Sequence, residues 1–115
     1  MRCERLDVWK RSCRLSVEVY KSFASSKDFG FKDQITRSSL SIASNIAEGM
    51  EKESDKDKSR FINISQGSSA ELITQIYIGI EIGYIEKTIG FEWIKEINEI
   101  LKMLNALKKS YASKI

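Results

Sequence analysis

From Gln34 to Gln75 the chain reads QITRSSLSIASNIAEGMEKESDKDKSRFINISQGSSAELITQ, and apolar side chains return every three or four positions on either side of a charged interruption. At about 100° per residue, Ile35, Ser39, Ile42, Ala43 and Ile46 share one face of the first half. In the second half Phe61, Ile62, Leu72, Ile73 and Ile76 share a face with Ser65, Ser68 and Ser69. This spacing predicts two facing helices. Both carry polar residues where an ordinary core is aliphatic, and Gln34, Ser38, Ser41, Asn45 and Glu48 form a polar stripe beside the first apolar face.

The rest of the composition fits long helices. The 115 residues include no proline, the residue that removes a backbone donor and clashes with the preceding turn. That length suits one domain, residues 1–115, with a real core and no need of disulfide staples. Histidine is also absent, which removes the usual general base near neutral pH and the commonest metal ligand. Cys3 and Cys13 have no Cys/His cluster around them, so neither a zinc site nor any other metal or cofactor is expected. On one helical segment they would also lie too far apart to bridge. A reduced, cytoplasmic protein is the simple expectation. The arginines near the N-terminus precede no apolar run of the signal-peptide kind, and no apolar stretch reaches membrane-spanning length.

The net charge of +3 is unevenly placed. Arg2, Arg5, Lys10, Arg11, Arg14 and Lys21 face only Glu4, Asp7 and Glu18 in the first 21 residues, while acids and bases balance over the remainder. A second basic run, Lys102, Lys108, Lys109 and Lys114, closes the chain after Glu99. Such blocks can meet phosphates, although a solvated helix face is their usual role.

Taken in order, Leu6, Trp9, Cys13, Val17, Tyr20 and Ala24 predict an inward face on a first helix from about Asp7 to Ser25. Lys10, Arg14 and Lys21 project together from one flank, and Val8, Leu15 and Val19 make an extra apolar strip that hints at a partner. A turn cluster at 25–30 leads into a second helix ending near Glu48, with Gly49 suited to a left-handed C-terminal residue. Ser54 or Asp55 caps a third helix reaching about Gly83. Within it, Ile76 to Ile82 alternates like a strand; no second strand is available to pair with it, so helix is expected. Gly83 to Gly90 makes the next connection, and Ile94, Ile97, Leu101, Leu104 and Tyr111 give a heptad-like seam on a fourth helix. Four helices with short loops predict an all-α, antiparallel up-down bundle.

The polar stripe allows a binding pocket, but a structural network is the preferred reading. Its expected members are Gln34, Arg37, Ser41, Asn45, Glu48 and Glu71, linked by hydrogen bonds that fix helix register. The acidic run from Glu48 to Asp57 alternates with lysines and lacks calcium-loop spacing, and the glycines are too scattered to cradle a phosphate. No residue is nominated as catalytic. The basic first helix, through Arg5, Lys10, Arg11 and Arg14, is the best nucleic-acid candidate, although Trp9 and Tyr20 fall on the inward face and so serve the core.

The stretch QITRSSLSIASNIAEGMEKES, followed by SRFINISQGSSAELITQI and the Gly83-Tyr84 turn, resembles a four-helix-bundle family of small bacterial proteins. The founding members of that family are encoded in intervening sequences of 23S rRNA genes, and it is sometimes called ribosomal-protein-like. The segment Ser41-Ile42-x-x-Asn45-Ile46-x-Glu48-Gly49 carries the resemblance most specifically, supported by Gly67-Ser68-x-x-Glu71-Leu72. The resemblance implies a ring-like homo-oligomer of five subunits and no agreed active-site residues. A related branch holds accessory proteins of diversity-generating retroelements, basic barrels that bind nucleic acid and a reverse transcriptase; this chain is milder in charge. The expectation is a non-enzymatic oligomeric module that binds RNA or a ribonucleoprotein, with a protein-only scaffold as its alternative.

Overall fold

The computed structural model describes residues 1–112 and is all-helical over them, with extents of 47 × 21 × 21 Å. A 3₁₀ turn at Arg2–Arg5 precedes α1 (Asp7–Ser22), α2 (Phe29–Met50), α3 (Asp55–Glu81) and α4 (Lys87–Ala112). The starts of α2 and α3 are chemically capped. The Asp28 carboxylate accepts from the Phe31 amide at 3.1 Å, and the Ser54 hydroxyl accepts from the Asp57 amide at 3.1 Å. Both satisfy a donor that the first helical turn would otherwise leave open.

Ile76 to Glu81 continues α3 with no strand between and Ile82 caps it, burying Ile76 and Gly79 and turning Tyr77, Ile78 and Ile82 outward. Gly83, at φ 81°, then supplies the left-handed residue, and the Tyr84 and Ile85 amides close on the Gly79 carbonyl at 2.8 and 3.1 Å. Gly49 does not take the left-handed role expected of it. It lies inside the last turn of α2, where a Cβ would stand 2.9 Å from the Cβ of Phe61 on α3. Its small size serves close helix approach. Gly90 likewise belongs to α4 and not to the connection, tucked against Ile80 and Ile85.

The core is one cluster running from Cys3 and Val8 through Ile35, Ile42, Ile46, Ile62, Leu72 and Ile76 to Ile97, Ile100 and Leu104. On α1 it overturns the expected orientation. Val8, Leu15 and Val19, expected to form a partner strip, are buried, whereas Val17 and Tyr20, expected inward, are about half exposed. The reason lies in the serines between the strips. Ser12 returns its hydroxyl to the Val8 carbonyl at 2.7 Å, and Ser16 meets Ser39 of α2 at 3.1 Å. These satisfied, small side chains let α1 settle closely on α2, which an apolar count alone reads as a polar interruption. α1 ends at Ser22, three residues before the expected boundary, and Phe23 is buried directly after it.

Candidate interaction surfaces

Of the four cations expected to meet nucleic acid, three remain free and one is committed. Arg5, Lys10 and Arg14 are exposed and make no ion pair among the described residues, and Lys21 extends their flank. Arg11 instead turns to α4. Its Nε and Nη2 donate to the two carboxylate oxygens of Glu96 at 2.9 and 2.5 Å, and Nη1 reaches Met103 Sδ at 3.6 Å. The bidentate guanidinium holds the Glu96 carboxyl below its ordinary range, while Glu96 raises the Arg11 pKa by accepting its hydrogen bonds. Trp9 is half-buried against the core and offers no free ring for base stacking. Tyr20 is 42% exposed, contrary to the inward position expected of it.

The polar stripe divides. Ser41 bonds Ser68 of α3 at 2.8 Å, and Asn45 Nδ2 donates to both the carbonyl and the hydroxyl of Ser41 at 2.9 Å. Deeper in the same interface, Ser65 donates to the Ile42 carbonyl at 2.9 Å. Gln34, Arg37 and Glu71 stand exposed around a cleft of about 280 Å³ with Ser38, Ser41 and Ser68 on its floor. Arg37 pairs with Asp33 at 3.0 Å, and Glu48 pairs with Lys52 at 3.5 Å away from that cleft. The arrangement is a small hydrogen-bonded link between α2 and α3 with an open charged rim. It is not a buried charge network. Sequence spacing did not single out Gln75, whose side-chain oxygen is buried without a hydrogen-bond partner among the described residues.

Two apolar surfaces also remain uncovered. Between α1 and α2 a cleft of about 390 Å³ is lined by Cys13, Ser16, Val17, Tyr20, Lys21, Leu40 and Ala43. Val17 is 51% exposed and Leu40 48%. On the outer side of α3, Tyr77, Ile78 and Ile82 are each about half exposed, and Tyr77 meets Phe91 of α4 edge-on at 6.1 Å. The α1–α2 cleft was legible in part, since Cys13, Val17 and Tyr20 have helical spacing; what hid it was the assumption that such a strip must face inward.

At one end Tyr84 donates to Asp28 Oδ2 at 2.8 Å, tying the α3–α4 connection to the start of α2. The Phe31 amide and then the Tyr84 hydroxyl keep the Asp28 carboxyl ionised below its ordinary range. Among the described residues no three His, Cys, Asp or Glu side chains are placed to hold a metal ion, and no helix is long and apolar enough to cross a membrane.

Among curated proteins none matches the chain. A solved structure described as a protein of unknown function from the S23 ribosomal protein family of Bacteroides thetaiotaomicron VPI-5482 is similar, with a TM-score of 0.82 and 27% identity over 89% of this chain and 98% of that one. The family model for the 23S rRNA-intervening sequence protein matches residues 4–106. That match reaches all four helices, so the chain belongs to the 23S rRNA-intervening sequence protein family.

Proposed function

We propose that the protein is a non-enzymatic, self-associating bundle that meets RNA or a ribonucleoprotein through the free cations of its first segment. The observation that carries this reading is the exposed flank of Arg5, Lys10 and Arg14, none of which makes an ion pair among the described residues, with Arg14 alone lying in the field of a carboxylate, that of Glu96. Contacts made by exposed cations are sequence-tolerant, and repetition of the flank in an oligomer turns a few weak contacts into useful affinity. The uncovered apolar surfaces support the oligomer, because a monomer rarely leaves such patches to water. The family resemblance supports a ring of five. Short connections, with Ser16 against Ser39, Ser41 against Ser68 and Lys108 against Asn63, support an antiparallel order of helices. Free Cys3 and Cys13 suit a reducing, cytoplasmic setting. The lack of histidine, and the separation of Glu48 from the Arg37 cleft, weigh against catalysis there.

The test is retention of a single-stranded RNA across a salt series. Each phosphate contact adds about −0.7 to the slope of log affinity against log salt. Replacing Arg5, Lys10 and Arg14 with Gln flattens that slope with the oligomer intact, whereas Arg11→Gln changes it little. Failure of the wild type to retain RNA at low salt overturns the reading. The protein-only scaffold then takes its place, a reading favoured by the Arg11–Glu96 pair, which already neutralises part of the basic helix.

A further inference from the structure

The two uncovered apolar surfaces differ in form and in charge. The α1–α2 surface is a cleft, and Lys21 lines it beside Val17, Tyr20 and Leu40. The α3 surface is a ridge, because Ile78 in the last turn of α3 and Ile82 at its C-cap stand one turn apart and Tyr77 flanks them. From Phe61 to Glu86 the chain carries no lysine or arginine, so the charges its own segment supplies beside that ridge are Glu71, Glu81 and Glu86. Glu81 lies one turn beyond Tyr77 at the C-terminal end of α3, where the helix dipole adds negative potential. Lys87 and Lys95 flank Phe91 on the neighbouring α4, so the complementarity rests on a single pair: Lys21 at the cleft can meet Glu81 at the ridge of another copy, and neither can pair with its own counterpart.

We propose that the ridge of one copy, Tyr77, Ile78 and Ile82, seats in the α1–α2 cleft of the next, with Glu81 meeting Lys21. This rests on the self-association proposed above and gives it a geometry. The contact is heterologous, so each copy keeps one free cleft and one free ridge until the chain of contacts closes. Two copies related by a twofold axis would place cleft on cleft, opposing their Lys21 side chains, or ridge on ridge, opposing their Glu81 side chains, and either leaves the other surface wet. The docked ridge occupies Lys21 and leaves Arg5, Lys10 and Arg14 outside the cleft.

Light scattering on two exposed-site variants tests the idea. Leu40→Glu damages the cleft and spares the ridge; Ile78→Glu does the reverse. Both positions are 48% exposed, so folding is retained and circular dichroism checks it. Wild type gives an oligomeric mass, and each variant alone gives the monomer mass. An equimolar mixture gives a 1:1 dimer, because one intact cleft and one intact ridge remain between them. Val17→Glu with Ile82→Glu repeats the experiment independently. A mixture that stays monomeric, or a single variant that keeps the wild-type mass, overturns this geometry while leaving self-association standing. A wild-type monomer removes self-association itself, and the geometry with it. Lys21→Glu lowers assembly at moderate salt and Lys21→Glu with Glu81→Lys restores it; no rescue removes the charged pair from the contact.

Discussion

Two glycines in the central helices separate the demands of packing from those of backbone propensity. Gly49 is buried, and a methyl there would meet the Phe61 Cβ at 2.9 Å and the Lys58 carbonyl at 3.4 Å. Carbon atoms prefer about 3.5–4.0 Å, so α2 and α3 must part by roughly 1 Å to admit it. The clash is with Cβ and backbone, not with the movable tip of a side chain. The Phe61 ring is further held between the Lys52 and Arg60 cations, at 5.1 and 5.0 Å from its centre. Overpacking of this kind costs about 1–3 kcal/mol. Alanine returns at most about 1 kcal/mol of helix propensity, and less in a last turn. Gly49→Ala is therefore expected to destabilise by about 1 kcal/mol. At Gly67, within α3, an added methyl would find nothing within 4 Å, so Gly67→Ala keeps the propensity gain and stabilises by up to about 1 kcal/mol. Thermal melts at one fixed protein concentration should separate the two variants by several degrees, at about 4 °C per kcal/mol. A Gly49→Ala melting point at or above wild type, with Gly67→Ala behaving as expected, would refute the close-approach account.

Other perturbations read other parts of the structure. Leu104→Ala, at a fully buried position, should cost about 2–5 kcal/mol in urea unfolding, and a cost below about 1 kcal/mol would mean that α4 packs elsewhere. Asn45→Ala removes both bonds to Ser41 and should cost about 1 kcal/mol; an unchanged midpoint would show these bonds within α2 to be dispensable. Glu96 has a folded pKa depressed by Arg11, so its stabilisation is full above its unfolded pKa and is lost as pH falls through the folded value. With both side chains about a third exposed, the pair contributes no more than about 1 kcal/mol, and the gap between wild type and Glu96→Gln should stay constant above about pH 5 and narrow as pH falls below the ordinary carboxylate range. A gap independent of pH would assign the effect of that substitution to packing.

The number, order and approximate limits of the helices were legible because isoleucines and leucines at 3–4 spacing, caps at Asp28 and Ser54, and the absence of proline all point the same way. Which face of α1 turns inward was not legible. Val8, Leu15 and Val19 compete with Cys13, Val17 and Tyr20 on nearly equal apolar terms, and the choice falls to Ser12 and Ser16, which a hydropathy reading counts as polar. Gly49 was misread for a related reason. A glycine near a helix end fits a left-handed stop, yet the partner that fixes its role, Phe61, belongs to another helix. The polar stripe was visible as a pattern, but sequence spacing cannot say that Arg37 and Glu48 would find Asp33 and Lys52 close by in sequence and leave Ser41, held by Asn45, to join α2 to α3.

The orientation of α1 carries the functional consequence. With Cys13, Val17 and Tyr20 inward, the bundle would leave a weak strip of valines and a leucine outside. With Val8, Leu15 and Val19 inward, the same rotation opens an apolar cleft against Leu40 and Ala43 and carries Lys21 to its edge. It also brings Arg11 onto Glu96, removing one cation from the basic flank, while Lys10 and Arg14 stay in solvent. One helical rotation thus sorts the basic residues of α1 into three jobs: Arg11 to the fold, Lys21 to the cleft, and Lys10 and Arg14 to whatever anion the surface meets. Because the sorting follows from two small serines, enlarging either should disturb all three together. Ser16→Ala removes the hydroxyl bonded to Ser39 without adding bulk, and Ser39 keeps its own bond to the Thr36 carbonyl, so this variant is expected to preserve the oligomer. Ser16→Leu adds bulk both at this buried contact and on the lining of the cleft, and should weaken both helix packing and assembly. Equal masses and melting points for Ser16→Leu and wild type would show that the face of α1 is chosen by something other than close approach.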